Sequence, residues 1–240
     1  MTVVTAHIRA GVLELVRYPS FSLSALLFPS TLLLVFRRAY QEPADVRLAG
    51  FSAVAVLGVV FFQFGVGIAS ERVGAWDLYL RTLPAAPRDR IVARVCSALL
   101  FAAAAVVAVV VTACATTTVG LAPARWLALV GALLSGAIPF GLLGIAIGYL
   151  ARPRAALPIA NLLYLPLSYL GGLWLGPGRR AGSSWLLDVV PTHAWARVLW
   201  PAVGAGGVDV AAPAFLAAWG VLFAALAVWG YRRDEGERFA

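Results

Sequence analysis

Long apolar runs separated by short polar connections dominate the 240-residue chain. Each run approaches or exceeds the ~20 residues that one helical crossing of a bilayer needs. We therefore predict an all-α, polytopic membrane protein that forms a single transmembrane domain over residues 1–240 and crosses the bilayer six times. The six predicted transmembrane helices cover about 20–36, 49–70, 91–118, 126–150, 156–175 and 211–231.

Two further apolar segments are too short or too interrupted to cross. Residues 4–17 carry apolar side chains at helical spacing, with His7, Glu14 and Arg17 off that stripe, which predicts an amphipathic helix lying at the membrane interface. Residues 176–208 are rich in Gly, Pro and Trp. They predict short re-entrant helices on the external side, with the Trp residues forming an interfacial belt.

Composition excludes several protein classes. The chain is 62% hydrophobic and 12% charged, with a mean hydropathy of +0.88, so a soluble enzyme, a secreted disulfide scaffold and a disordered chain are all ruled out. The net charge of +8 is the excess of 19 basic over 11 acidic residues. All the basic residues are Arg, which we interpret as the base composition of a high-GC genome and not as nucleic-acid binding. Without Lys there is no GxxxxGK[ST] phosphate-binding loop. Any ATP hydrolysis would therefore take place on another chain.

The arginines also predict the orientation. The N-terminus, the 71–94 region, the 151–156 linker and the C-terminal tail together carry twelve arginines, and the opposite side carries seven. Because positive residues concentrate on the cytoplasmic side, we predict a multi-pass protein of the cell membrane with both termini in the cytoplasm. The Arg37–Arg38 pair after the first span favours the opposite orientation.

Catalytic and metal sites have little support in the sequence. No Asp or Glu occurs between residues 91 and 175, so the carboxylates of an intramembrane enzyme or a proton-coupled transporter are missing there. His7 and His193 lack metal-ligand spacing. Cys96 and Cys114 fall in one predicted helix about 27 Å apart and so cannot pair. We predict no enzymatic activity and no metal site.

The connection between the second and third spans, residues 71–90, is the most informative stretch. Its apolar residues recur on one face of a short helix, and Pro84 and Pro87 end that helix. An apolar face outside the bundle has to be covered, either by lipid headgroups or by the groove of a partner protein. The apolar face comprises Val73, Trp76, Leu80 and Leu83, and its charged rim comprises Glu71, Arg72, Asp77 and Arg81.

This stretch resembles the motif that precedes the third span of ABC type-2 permeases, the membrane subunits of drug, lipid and polysaccharide exporters. The later run from 161 to 203 is also similar to that family. Val73 stands where the family has a second acid, and the family's Gly-Thr-Leu-Glu reads Gly74–Ala75–Trp76–Asp77. The matching positions, in order, are Glu71, Arg72, Gly74, Leu78, Leu80, Pro84 and Arg88, then Asn161, Pro166, Gly171, Gly172, Pro191, Ala194 and Arg197.

The resemblance implies a mechanism and partners. The helix at 4–17 corresponds to the family's elbow helix, and the short helix within 71–90 would dock into a cleft on a separate ABC ATP-binding subunit, present in two copies. A second permease copy, or a homologous permease, would complete the complex in the lipid bilayer. ATP and Mg would bind the partner ATPase, with no cofactor on this chain. The expected function is export of an amphipathic drug, lipid or glycolipid.

In the resembling family, spans one, two and five line the translocation path. Polar and aromatic residues in the second and fifth spans are therefore our path candidates, although helix–helix hydrogen bonding would also account for them. The alternatives to an ABC exporter subunit are a membrane scaffold or assembly factor without transport activity and, as a further alternative, a secondary transporter. The path candidates are Phe61, Gln63, Phe64, Asn161, Tyr164, Ser168 and Tyr169, and the predicted hinges are Pro29, Pro166, Gly171 and Gly172.

Overall fold

The structure is a computed structural model that describes residues 19–37, 42–72, 87–177 and 186–239. All regular secondary structure in these ranges is helical, which confirms the all-α prediction. The predicted elbow helix at 4–17 and most of the 71–90 segment lie outside the described residues. The helices are α1 (Pro19–Phe36), α2 (Ala44–Glu71), α3 (Pro87–Thr116), α4 (Pro123–Leu150), α5 (Pro153–Leu170), α6 (Leu186–Val189), α7 (Pro191–Ala202) and α8 (Ala211–Phe239).

Four of the described helices are long and apolar enough to cross a membrane. These are α2, α4, the part of α3 from Arg94 to Thr116, and the part of α8 from Ala211 to Glu235. The chain is accordingly a membrane protein. In α1 the shorter stretch Leu26–Phe36 is also apolar, and a total of six crossings stays a prediction.

Helix α2 lies at the centre of the bundle. Every residue from Leu48 to Val60 is buried, because other helices pack around this run of small and β-branched residues. By contrast, α3 and α8 expose apolar side chains such as Val111 and Val221. In a membrane protein these outward faces are solvated by lipid, so the burial pattern separates a central helix from peripheral ones.

Close packing between α2 and α4 depends on glycines. A Cβ atom at Gly144 would lie 2.5 Å from the carbonyl oxygen of Val60, and one at Gly148 would lie 2.7 Å from that of Phe64. The two glycines are four residues apart and share one face of α4. They form the small-residue groove that lets two membrane helices approach backbone to backbone.

Helix α5 ends earlier than predicted. The fifth span was expected to continue to residue 175, but α5 stops at Leu170 and the chain turns through residues 171–175. Gly172 has a φ of 81° in that turn, a conformation that side-chain-bearing residues disfavour. Pro166, one of the predicted hinges, does not end the helix, since α5 continues through it. Proline within a membrane helix is tolerated where neighbouring groups compensate for the lost hydrogen bond.

The interfacial belt predicted for the Trp residues of 176–208 is wrong for two of them. Trp195 on α7 is fully buried, and Trp200 is almost so. The indole N–H of Trp195 donates to the carbonyl oxygen of Ala132 on α4 at 2.7 Å, and Gly136 provides the space for the ring. Once its N–H is paired, an indole is a large apolar group, so it packs in the core.

An ion pair organises the connection from α7 to α8. Arg197 Nε donates to Asp209 Oδ2 at 2.5 Å, while Asp209 Oδ1 accepts the backbone N–H groups of Ala211 at 2.9 Å and Ala212 at 3.2 Å. The hydrogen bond from Arg197 lowers the pKa of Asp209 below its ordinary value. A carboxylate at this position satisfies two otherwise free donors at the start of α8.

Candidate functional site

A group of aromatic side chains joins α1, α2 and α5, with Tyr164 buried, Phe62 partly buried and Phe28 40% exposed. We define the central aromatic cluster as Phe28, Phe62 and Tyr164, whose ring centroids lie 6.3 Å (Phe28–Tyr164) and 5.9 Å (Phe62–Tyr164) apart. The Tyr164 hydroxyl donates to the backbone carbonyl oxygen of Val54 at 3.3 Å. One tyrosine therefore connects three helices.

A second aromatic group lies where α1 ends and α5 turns. We define the Trp174 cluster as Phe36, Phe51, Tyr169 and Trp174. The centroid of the Trp174 ring lies 5.4 Å from that of Phe36, 6.4 Å from Phe51 and 5.8 Å from Tyr169. The indole N–H of Trp174 donates to Ser168 Oγ at 3.0 Å. This places the chain after Gly172 back against α1 and α2.

Helix α2 changes its hydrogen-bond pattern beside the central aromatic cluster. Residues Phe61–Val66 form a π-helical segment within the otherwise α-helical α2. Such segments widen the helix by one residue per turn and occur often at functional sites. Phe62 and Gln63 both lie on this segment, so the local widening sets the directions in which their side chains project.

Three polar side-chain atoms on α1 and α2, each within two residues of one of these aromatic residues in the chain, are buried without a hydrogen-bond partner among the described residues. They are Ser30 Oγ on α1 and Ser52 Oγ and Gln63 Nε2 on α2. Ser52 follows Phe51 in the chain, and Gln63 follows Phe62. Because an unpaired buried donor costs about 1–3 kcal/mol, such groups call for a functional explanation.

The structure places the predicted path residues in two environments. Tyr164 and Ser168 are buried on α5 together with Ala156 and Ala160, and Phe61 and Phe64 are buried on α2. Asn161 and Tyr169 are exposed instead. The amide N–H of Asn161 donates to the carbonyl oxygen of Leu157 in its own helix at 3.2 Å. The path candidates of α5 are therefore divided between the bundle interior, where Tyr164 and Ser168 lie, and its surface, where Asn161 lies.

The predicted hinge residues are mostly well packed. Pro29 lies within α1 and is buried, and Pro166 is exposed within α5. At Gly171 a Cβ would collide with Thr192, whose hydroxyl donates to the carbonyl oxygen of Leu167 at 2.5 Å. Gly171 thus permits α7 to dock on the end of α5. Of the four, Gly172 alone has a positive φ, so it marks the sharp turn.

Two of the predicted ATPase-coupling residues are described, and both make contacts inside the chain. Glu71 pairs with Arg94 on α3. Arg72 Nη1 donates to Asp234 Oδ1 at 2.6 Å and to the carbonyl oxygen of Tyr149 at 3.0 Å, and its Nη2 donates to that of Ala151 at 2.6 Å. The other coupling residues lie outside the described residues, namely Val73, Trp76, Asp77, Leu80, Arg81 and Leu83.

Sequence analysis did not identify Phe28, Phe36, Phe51 or Trp174 as part of this site. Phe28 and Phe36 lie eight residues apart in a run of leucines, where an aromatic residue has no distinguishing local pattern. Trp174 did carry a signal, because it follows Gly171–Gly172 closely and a chain that turns there can fold back. Asp234 had none, since the C-terminal tail is generally charged.

One comparison with known proteins gives a relative. The chain is similar to the protein named "Putative transport permease YvfS" of Bacillus subtilis (strain 168), with 24% identity over 139 residues. The match covers 58% of this chain, and the chain spans only about half of that relative's length, 56%. No protein-family model matches the chain, and no solved structure matches it.

The likeness and the fold agree on a broad class. The relative is named as a transport permease, and the four helices capable of crossing a bilayer fit a membrane protein. The central aromatic cluster, the Trp174 cluster and the three unpaired polar atoms form the candidate site within that protein. We refer to them together as the α1–α2–α5 site.

Proposed function

We propose that this chain is the membrane-spanning permease subunit of an ATP-driven ABC exporter. The observation that carries the proposal is that α1, α2 and α5 meet at Tyr164. Residues 71–88 resemble a motif of the ABC type-2 permeases, and in that family the corresponding three helices line the translocation path. The likeness to a transport permease supports the same class. Hydrolysis of ATP takes place on a separate ATPase subunit.

The chemistry of the α1–α2–α5 site suits an amphipathic cargo. Aromatic rings of Phe28, Phe62 and Tyr164 offer apolar contact area, and Gln63 Nε2 and the two serine hydroxyls offer hydrogen bonds. Binding sites for small molecules combine predominantly apolar walls with a few polar groups in this way. A drug, a lipid or a glycolipid has both kinds of surface.

Asn161 supports association with a second permease. Its amide is exposed on α5 between Leu157, Leu162 and Leu165, which are exposed as well. A polar amide is disfavoured against hydrocarbon, and membrane helices pair such groups across interfaces. We therefore propose that this face of α5 meets a second copy, or a homologous permease, and not lipid.

The proposal predicts that an ATPase with a phosphate-binding loop is encoded beside this gene, and it is tested by co-purification with that ATPase. The double variant W76D/L80D places two charges on the apolar face predicted within 71–90, so we expect the permease to fold but to lose the ATPase. The matched control is V208D/V210D, which puts the same charges on two highly exposed valines between α7 and α8 and is expected to retain the ATPase.

Other outcomes of this experiment are equally decisive. If W76D/L80D retains the ATPase, the short helix lies on lipid and the coupling assignment fails. If the wild-type permease captures no ATPase, the result favours a membrane scaffold or assembly factor.

A further inference from the structure

The carboxyl-terminal ends of three helices meet at one arginine. Arg72 directly follows α2, and its guanidinium reaches the last turn of α4 through the carbonyl oxygens of Tyr149 and Ala151. It also pairs with Asp234 near the end of α8 at 2.6 Å. We call these four residues the Arg72 junction. Only 16% of the Arg72 side chain and 10% of the Asp234 side chain are exposed.

Electrostatics explains why an arginine occupies this position. The last carbonyl groups of a helix have no partner within it and carry the negative end of the helix dipole. From one planar guanidinium, Arg72 donates to the carbonyl oxygen of Tyr149 in the last turn of α4, to that of Ala151 directly after α4, and to the carboxylate of Asp234. A lysine ammonium lacks this fork. Asp234 would be unfavourable beside these negative helix ends without the positive charge of Arg72.

Contacts beside the Arg72 junction hold the adjoining helices together. The rings of Tyr149 and Tyr231 meet edge to face at 5.3 Å, and a Cβ at Gly230 would lie 3.0 Å from Leu150, so α4 and α8 are closely packed here. Glu71, which directly precedes Arg72, pairs with Arg94 of α3. Two consecutive residues at the end of α2 are thus tied to three different helices.

We propose that Arg72 and Asp234 form a positioning pair that transmits movement of the chain following Arg72 to the last helix. The inference rests on the proposed function, in which the ATPase moves that chain. It gives Arg72 a role inside the permease in place of the predicted rim contact with the ATPase. Because α8 packs along α4 and α7 as well, a displacement at Arg72 reaches the opposite end of the bundle.

The first arm of the test needs no nucleotide. Amide hydrogen exchange is measured on the full-length permease in lipid nanodiscs for the wild type, D234A, D234N and E235A. We expect D234A to speed exchange at 146–152 and 68–72 about tenfold, because a charge-assisted hydrogen bond is lost. D234N keeps an acceptor oxygen and should fall between D234A and the wild type. E235A is the control: it removes the neighbouring carboxylate, which accepts from Tyr231 on its own helix, and it therefore tests whether the Tyr149–Tyr231 ring contact alone accounts for an effect.

The second arm uses the complex with the ATPase and a non-hydrolysable ATP analogue. In the wild type we expect the analogue to change exchange in both 73–86 and 226–235. D234A should still bind the ATPase and still show the analogue-induced change in exchange in 73–86, but it should lose most of that change in 226–235. E235A should behave like the wild type in both peptides. A purely structural role for Asp234 would not separate the two peptides in this way.

The two arms distinguish failure of the inference from failure of the proposed function. A full α8 response in D234A, or an equal loss in E235A, overturns the inference while leaving the exporter assignment intact. Unchanged exchange in D234A without nucleotide shows that Asp234 does not hold the junction. If the wild type shows no nucleotide-dependent change in 73–86, the exporter assignment fails and the transmission role fails with it.

Discussion

At the scale of single residues, Tyr164 shows how one side chain combines apolar contact and hydrogen bonding. Its ring contacts Phe28 and Phe62, and its hydroxyl donates to the carbonyl oxygen of Val54. Gly58 leaves room for that ring, because a Cβ there would come within 3.3 Å of it. The polarity of Tyr164 is therefore satisfied inside the bundle, and its ring remains available to line the α1–α2–α5 site.

The two contributions of Tyr164 can be separated by mutation. We expect Y164F, which loses only the 3.3 Å hydrogen bond, to lower the free energy of unfolding by about 1 kcal/mol. Y164A also loses the ring contacts and should cost about 3–5 kcal/mol. Unfolding in detergent micelles measures both, with Y169A as a more exposed aromatic control. Equal losses for Y164F and Y164A would contradict this division.

At the scale of elements, the contact between α2 and α4 shows how backbone shape and residue size fit together. The π-helical segment Phe61–Val66 packs against the face of α4 that carries Gly144 and Gly148. Each glycine faces a backbone carbonyl oxygen of α2, where Cα–H···O contacts and dispersion take the place of side-chain interdigitation. The fit leaves no space for a methyl group.

Substitutions along α4 test that fit. We expect G144A to destabilise the protein by about 1–3 kcal/mol, because the added Cβ would overpack against Val60 and Phe64. G131A is the matched control on the same helix, since a Cβ at Gly131 meets nothing within 4 Å. Thermal unfolding of both variants in the same detergent gives the comparison. A G144A variant as stable as G131A would show that the two helices separate easily.

At the scale of the whole molecule, two sets of contacts mark opposite ends of the bundle. The backbone N–H of Gly120 donates to Asp45 Oδ1 at 2.9 Å, which joins the α3–α4 connection to the start of α2. The Arg72 junction joins the far end of α2 to the ends of α4 and α8. At 1.5 Å per residue, α2 separates the two ends by about 40 Å, more than the ~30 Å apolar core of a bilayer.

This geometry makes the predicted orientation testable. In a cysteine-free background with Cys96 and Cys114 replaced, single cysteines are introduced by V208C and R232C. A membrane-impermeant maleimide added to intact cells should label V208C, because residue 208 is highly exposed at the end predicted to be external. R232C, near the Arg72 junction, should react only after permeabilisation. The reverse pattern would place both termini outside the cell.

The sequence predicted part of the candidate site for identifiable reasons. Gln63, Tyr164 and Ser168 stood out because polar residues are rare within apolar helices. Tyr164 lies in the central aromatic cluster, and Ser168 accepts a hydrogen bond from Trp174 of the other cluster. Phe28 and Phe36 could not be recognised, because aromatic residues are common in membrane helices. Which aromatic residues meet depends on the rotation of each helix about its axis, and that rotation is set by packing and not by local pattern.

The helical, membrane-embedded character of the chain follows from its amino-acid sequence, since in a bilayer apolar runs must satisfy their own backbone hydrogen bonds. Packing between helices is what carries α5 past Pro166, places Trp195 in the core, and lets Arg72 join α2 to α4 and α8. Each of these depends on partners more than 20 residues away or on close helix packing. Local propensity carries no information about such contacts, because their free energy exists only once the helices have assembled.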